Sequence, residues 1–116
     1  MKKLRIALLA IALIASGCRA IYSTTRIKAK QNFVLGDNQH EAFEVSIKNI
    51  SCHEVELSQK PKGGNIAFLQ RLGAKKSVTI KIDKNTALYI GNKSDRQVAV
   101  KLTLESVSPL SMGYKN

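Results

Sequence analysis

Beyond Gln31 the chain alternates apolar and polar residues with period two, the pattern of strands that turn one face to a core and the other to water. Phe43, Val45 and Ile47 interleave with Glu44, Ser46 and Lys48. Val78, Ile80 and Ile82 interleave with Ser77, Thr79 and Lys81, and Val98, Val100, Leu102 and Leu104 with Gln97, Ala99, Lys101 and Thr103. Shorter apolar runs at Phe33 to Leu35, Val55 to Leu57, Ile66 to Leu69 and Leu88 to Ile90 bring the expected total to about seven strands. Turn chemistry separates them at Gly36-Asp37-Asn38, Lys60-Pro61-Lys62-Gly63-Gly64, Asp83-Lys84-Asn85 and Gly91-Asn92-Lys93-Ser94-Asp95. Glycine and asparagine tolerate the backbone angles that tight turns require. The pattern predicts an all-β domain, a small antiparallel β-sandwich of immunoglobulin-like form, with a small β-barrel as the alternative. It lacks the paired cysteines and tryptophan of a true immunoglobulin domain. No helical stripe and no internal repeat stands out in residues 31–116.

The first eighteen residues follow a different rule. Lys2, Lys3 and Arg5 precede an uncharged run from Ile6 to Ala15. Ten helical residues at ~1.5 Å each reach about half of a ~30 Å hydrocarbon core, which favours a processing signal over a permanent span. Small residues Ala15, Ser16 and Gly17 then lead into Cys18. Residues 1–18 resemble a bacterial lipoprotein precursor, with Ala15 at a place where leucine is usual. The resemblance implies a diacylglycerol on the Cys18 sulfur, cleavage before Cys18, and a protein held on a membrane by its acyl chains. Each buried CH₂ contributes ~0.8 kcal/mol, so more than one chain makes the attachment stable. Arg19 follows the cysteine where an aspartate would favour inner-membrane retention, which implies outer-membrane sorting in the cell envelope. An ordinary cleaved signal is the alternative, and would leave Cys18 free to pair with Cys52.

Removal of residues 1–17 leaves 99 residues, enough for one domain. It also leaves 16 basic residues against eight acidic ones, a net charge of about +8. Residues 18–30 read as the lipidated cysteine and a basic tether, residues 31–108 as the sandwich, and 109–116 as a flexible tail containing Pro109 and Gly113. A first edge strand over Ile21 to Ile27 is the alternative for the tether. Arg19, Arg26, Lys28 and Lys30 would lie beside the anchor, where basic groups add ~1 kcal/mol each on an anionic surface. Lys48, Lys81 and Lys101 take outward strand positions and form one basic face only if their strands share a sheet; outward lysines also protect strand edges from aggregation.

Catalytic chemistry is sparse. Cys52 and His53 are adjacent, so in a strand they would face opposite ways and form no dyad. His40 is the only other histidine, and no zinc-type spacing or phosphate loop is present. Glu54 and Glu56 share a strand parity, which suits two solvated carboxylates better than a catalytic pair. No enzymatic activity, metal or cofactor is therefore expected. With lipid on Cys18, Cys52 is a single thiol, either buried as a small apolar residue or exposed and able to form an intermolecular disulfide. There is no tryptophan, Phe33, Phe43 and Phe68 are expected inside, and Tyr22, Tyr89 and Tyr114 are too few to announce a stacking platform, so nucleic acid is not an expected partner. Asn49-Ile50-Ser51 and Asn92-Lys93-Ser94 match glycosylation acceptors by chance. Two functions fit: a lipid-anchored envelope module that holds a protein partner, or a basic lipoprotein that captures an anionic lipid, polysaccharide or acidic enzyme.

Overall fold

The period-two segments fold as strands whose apolar parity faces inward: in Phe43–Asn49 and Val98–Ser106, every second residue is buried. The computed structural model describes residues 19–116 and contains nine strands. These are β1 (Arg19–Ile27), β2 (Asn32–Leu35), β3 (Phe43–Asn49), β4 (Val55–Pro61), β5 (Ala67–Leu72), β6 (Ser77–Ile82), β7 (Thr86–Gly91), β8 (Val98–Ser106) and β9 (Met112–Lys115). They form two antiparallel sheets, ordered β1-β8-β3-β6 and β5-β4-β7-β2-β9. Between the sheets lie Ile27, Leu35, Val45, Ile47, Leu57, Ile82, Leu88, Ile90, Val100 and Leu102, all essentially without solvent contact. Each such side chain contributes roughly 1.5–3 kcal/mol through burial.

The sandwich expectation holds at the level of two packed antiparallel sheets, but the connectivity differs from the immunoglobulin order. Consecutive strands β1 and β2, β3 and β4, β5 and β6, and β7 and β8 lie in opposite sheets. Strands β1 to β8 thus form the double-sheet jelly roll. Turn residues mark where strands stop, whereas partner choice is set by long-range packing that a single sequence does not display.

Two segments set outside the sandwich on sequence grounds belong to it. Arg19 to Ile27, read as the tether, is edge strand β1, paired with β8 from Arg19↔Ser106 to Ile27↔Val98. Met112 to Lys115, read as part of the tail, is β9, paired with β2. β9 is fixed further by Gly36 N–H donating to Ser111 O (2.8 Å), by Tyr114 packed edge-on against Phe33, and by Lys115 beside Asp37 (3.2 Å). The Asp37 carboxylate, with a smaller contribution from Tyr89, raises the affinity of the Lys115 ammonium for its proton.

The two halves of the jelly roll repeat their hydrogen bonds. Asn92 N–H donates to Gln31 O, and Asn49 N–H to Lys76 O, each at 2.9 Å. The Asn92 amide reaches Ile27 O and Arg96 O, while that of Asn49 reaches Leu72 O and His53 O. Lys30 Nζ donates to Lys93 O (2.6 Å), and Lys75 Nζ to Ile50 O (2.8 Å). Lys30 and Lys75 share a left-handed backbone, with φ 63 and 64°. Ile27-Lys28-Ala29-Lys30-Gln31 and Leu72-Gly73-Ala74-Lys75-Lys76 are therefore equivalent corners, an internal repeat that the sequence alone did not announce.

Candidate functional site

The register divides the loops between two ends of the sandwich. Residues 28–31, 50–54, 73–76 and 92–97 gather at one end, and 36–42, 62–66, 83–85 and 107–111 at the other. The first end carries Lys28, Lys30, Lys75, Lys76, Lys93 and Arg96 against Glu54 and Asp95. The second carries Lys62 and Lys84 against Asp37, Glu41 and Asp83, so charge is segregated along the long direction of the strands. At the basic end, Glu54 lies 3.5 Å from Arg71, which also meets Glu56 at 3.7 Å, and Asp95 lies 3.5 Å from Lys30. Among the described residues, Lys28, Lys76, Lys93 and Arg96 form no ion pair.

The basic end continues onto the outer face of the β1-β8-β3-β6 sheet. Lys48 and Lys101 are directly opposite one another on β3 and β8, and both are exposed. Their row runs Thr24, Lys101, Lys48, Ser77; the next runs Tyr22, Thr103, Ser46, Thr79; a third holds Ala20, Glu105, Glu44, Lys81. Ser46 and Thr79 share a hydrogen bond of 2.9 Å. Tyr22 is 76% exposed. Two shallow depressions flank Lys101 and Thr103, one of about 290 Å³ toward Ser77 and Thr79 and one of about 270 Å³ toward Tyr22 and Thr24.

The residues singled out from sequence are therefore distributed unevenly. Lys48, Lys81 and Lys101 do share a sheet, but only Lys48 and Lys101 meet, while Lys81 stands opposite Glu44. Arg26 joins the basic half of the face, opposite Ala99. Lys28 and Lys30 do not cluster at the start of the domain. They follow β1, whose eight residue steps at ~3.3 Å separate them from Arg19 by about 26 Å. Extended pairing with β8, absent from a loose tether, is the reason. Cys18 lies outside the described residues, as does the signal over 1–17.

Of the groups weighed for catalysis, His40, Glu54 and Glu56 have structural partners. His40, 4% exposed, places Nδ1 2.7 Å from Glu41 O and Nε2 2.9 Å from Thr86 O. Glu54 and Glu56 flank Arg71. Cys52 is an exposed free thiol in the 50–54 corner, not a buried one, and His53 is exposed beside it. Among the described residues no cluster of three or more histidine, cysteine or acidic side chains is placed to hold a metal ion. Phe68, expected inside, is 57% exposed on edge strand β5, where a register shift at Leu57 and Ser58 changes which parity faces the core. A polar cavity of about 300 Å³ at the opposite end, lined by Asp37, Asn38, Lys60 and Lys62, holds no nucleophile and base within reach of each other.

Neither a protein-family model nor a curated protein sequence matches the chain. Solved structures do match its fold. The capsular polysaccharide assembling protein CapF from Staphylococcus aureus is similar over 76% of this chain and 24% of its own, with 15% identity and a TM-score of 0.54. CapF with the inhibitor 3-isopropenyl-tropolone gives 14% identity, coverage of 74% and 24%, and a TM-score of 0.56. The chain thus spans about a quarter of CapF's length. An uncharacterized conserved protein with a double-stranded β-helix domain from Klebsiella pneumoniae is similar over 83% of this chain and 76% of its own, at 10% identity and a TM-score of 0.53. These likenesses, all at or below 15% identity, bear on the fold alone.

Proposed function

We propose that the chain is a non-catalytic binding module of the bacterial cell envelope, held on the outer membrane by acyl chains on Cys18, that captures an anionic partner on its basic end and the adjoining sheet face. The observation that carries this reading is the segregation of charge. Six basic residues and two acidic ones occupy the loops of one end, while acids outnumber bases at the other. A charge placed only for solubility has no reason to gather at one end, whereas a one-sided field steers and holds a partner of opposite sign. Burial of His40 between carbonyls and neutralisation of Glu54 and Glu56 by Arg71 favour binding over catalysis. CapF is described as assembling capsular polysaccharide, and an envelope polymer is a fitting partner class here as well.

The other reading, a hydrophobic protein partner, is favoured by Ile66 and Phe68, which are 55% and 57% exposed at the β5 edge. Ionic strength separates the two. The intact protein should bind a soluble polyanion at low salt and lose most of that binding by moderate salt, because the screening length falls to ~8 Å near 0.15 M. Salt-insensitive capture of an envelope protein, abolished by Phe68→Ser, would instead favour the hydrophobic partner. Lipid attachment is checked by palmitate incorporation, expected in the wild-type chain and absent from Cys18→Ala.

A further inference from the structure

The outer face of β1-β8-β3-β6 has features that generic anion capture does not require. Lys48 and Lys101 face each other across adjacent strands, an arrangement that costs ~0.2–1 kcal/mol through like-charge repulsion. Glu44 and Glu105 repeat the arrangement with opposite sign four residues along the same ladder. Exchanging one member of each pair would give two attractive pairs in place of two repulsive ones. Fold stability therefore does not account for the placement, and an anion seated between the lysines would relieve the repulsion.

The surroundings of that pair are hydroxyl groups. Thr24 and Ser77 complete the lysine row, and Thr103, Ser46, Thr79 and the Tyr22 phenol form the row beside it. A hydroxyl donates and accepts, as do the hydroxyls of a sugar, whereas a phosphate or sulfate oxygen only accepts. Four strands at ~4.8 Å spacing make each row about 14 Å long, enough for more than one ring. Tyr22, on the outermost strand, presents an apolar ring face with a polar tip, suited to cover a sugar ring at the end of the row. The two depressions meet at Lys101 and Thr103, so an extended chain crossing the strands has a shallow seat on each side of them. The same rows hold no large aliphatic side chain, as the core of a protein interface would need.

We propose that this face binds an acidic polysaccharide laid across the strands, with a uronate-type carboxylate between Lys48 and Lys101 and neighbouring sugar hydroxyls on Thr103, Ser46, Thr79 and Tyr22. The proposal rests on the anionic-partner reading above and adds the chemical class of the ligand. Calorimetric titration of the intact protein with polygalacturonate, with polyphosphate and with neutral dextran tests both. Lys48→Gln and Lys101→Gln are expected to weaken polygalacturonate binding about tenfold each, the equivalent of one charge-assisted hydrogen bond. Tyr22→Ala and Thr103→Val should weaken polygalacturonate severalfold and leave polyphosphate unchanged, and dextran should bind weakly or not at all. All four sites are solvent-facing, and an unchanged thermal midpoint confirms that the variants fold. If the lysine variants weaken both polyanions equally while the tyrosine and threonine variants change neither, the glycan assignment fails and the anionic reading survives. If neither polyanion binds even at low salt, both fail.

Discussion

Asn49 and Asn92 each close a corner of the chain with one buried side chain. The Asn92 amide donates to Ile27 O, Lys28 O and Arg96 O while its oxygen accepts from the Ser94 N–H and hydroxyl. Asn49 does the same with His53 O, Leu72 O and Ser51. Both are at most 1% exposed, so neither Asn-x-Ser match is open to glycosylation in the folded protein, and the serine completes the cap. The signal was present in the sequence as the same motif twice, 43 residues apart, following Ala29-Lys30 and Ala74-Lys75. It was illegible because two short polar matches carry no weight until their hydrogen-bond partners are known. Alanine at either position strands several buried carbonyls and N–H groups, so Asn49→Ala and Asn92→Ala should each lower unfolding free energy by about 2–4 kcal/mol in urea titrations. A loss under ~0.5 kcal/mol would show the corners held by other means. Gly36 makes a second residue-scale case: its φ is 81° and an added Cβ would meet His40 Nε2 at 3.0 Å. Gly36→Ala should cost ~1–2 kcal/mol or more, through the left-handed backbone alone. If His40→Ala, which removes the neighbouring ring, lessens that penalty in a double-mutant cycle, the steric contribution is measured directly.

At the scale of the element, the strongly alternating strands β3, β6 and β8 were legible because one parity is apolar and the other polar. β1 was harder, since its inward parity reads Ile21, Ser23, Thr25, Ile27, and the two hydroxyls satisfy each other at 2.9 Å. Hydroxyls paired with each other can be buried with little cost, yet in the sequence they dilute the hydrophobic alternation. β9 was illegible for a different reason: four residues containing Gly113 hold their place through β2 and Phe33, and local propensity contributes little. β1 as a paired strand and β1 as a free tether differ in a measurable way. Amide exchange in β1 should be slow at alternate residues, those whose N–H groups point at β8, by on the order of a hundredfold over unstructured chain. Uniformly fast exchange from Arg19 to Ile27 would restore the tether. β9 should remain docked at neutral and mildly alkaline pH. The Asp37 carboxylate raises the Lys115 proton affinity, so at neutral and mildly alkaline pH, with Asp37 ionised, the ion pair is intact, and on the alkaline side it is lost as pH climbs through the elevated folded value.

Across the whole molecule, pairing of β1 removes the slack that a lipid-anchored domain was expected to have. Arg19 is already in register with Ser106, at the end that carries Asp37, Glu41 and Asp83, and the basic corners lie at the other end of the strands. A domain attached as proposed through Cys18, the residue that precedes β1, would stand with its acidic end toward the bilayer and its basic end outward, beyond the screening length of the surface. Such a posture would separate attachment from capture, and would carry Lys28 and Lys30 away from the anchor they were expected to assist. Cys52 offers the means to check it, because acylation as proposed would occupy Cys18 and leave this exposed thiol at the basic corner for labelling. With the acylated protein on vesicles containing an acceptor lipid, a donor dye on Cys52 should transfer weakly. The same dye on Lys62→Cys, in a Cys52→Ser background, should transfer strongly, since that turn lies at the acidic end. Equal transfer from the two positions would mean that the domain lies on its side. Lys48 and Lys101 would then be open to bulk only if the sheet face, and not the β1 edge, pointed away from the lipid.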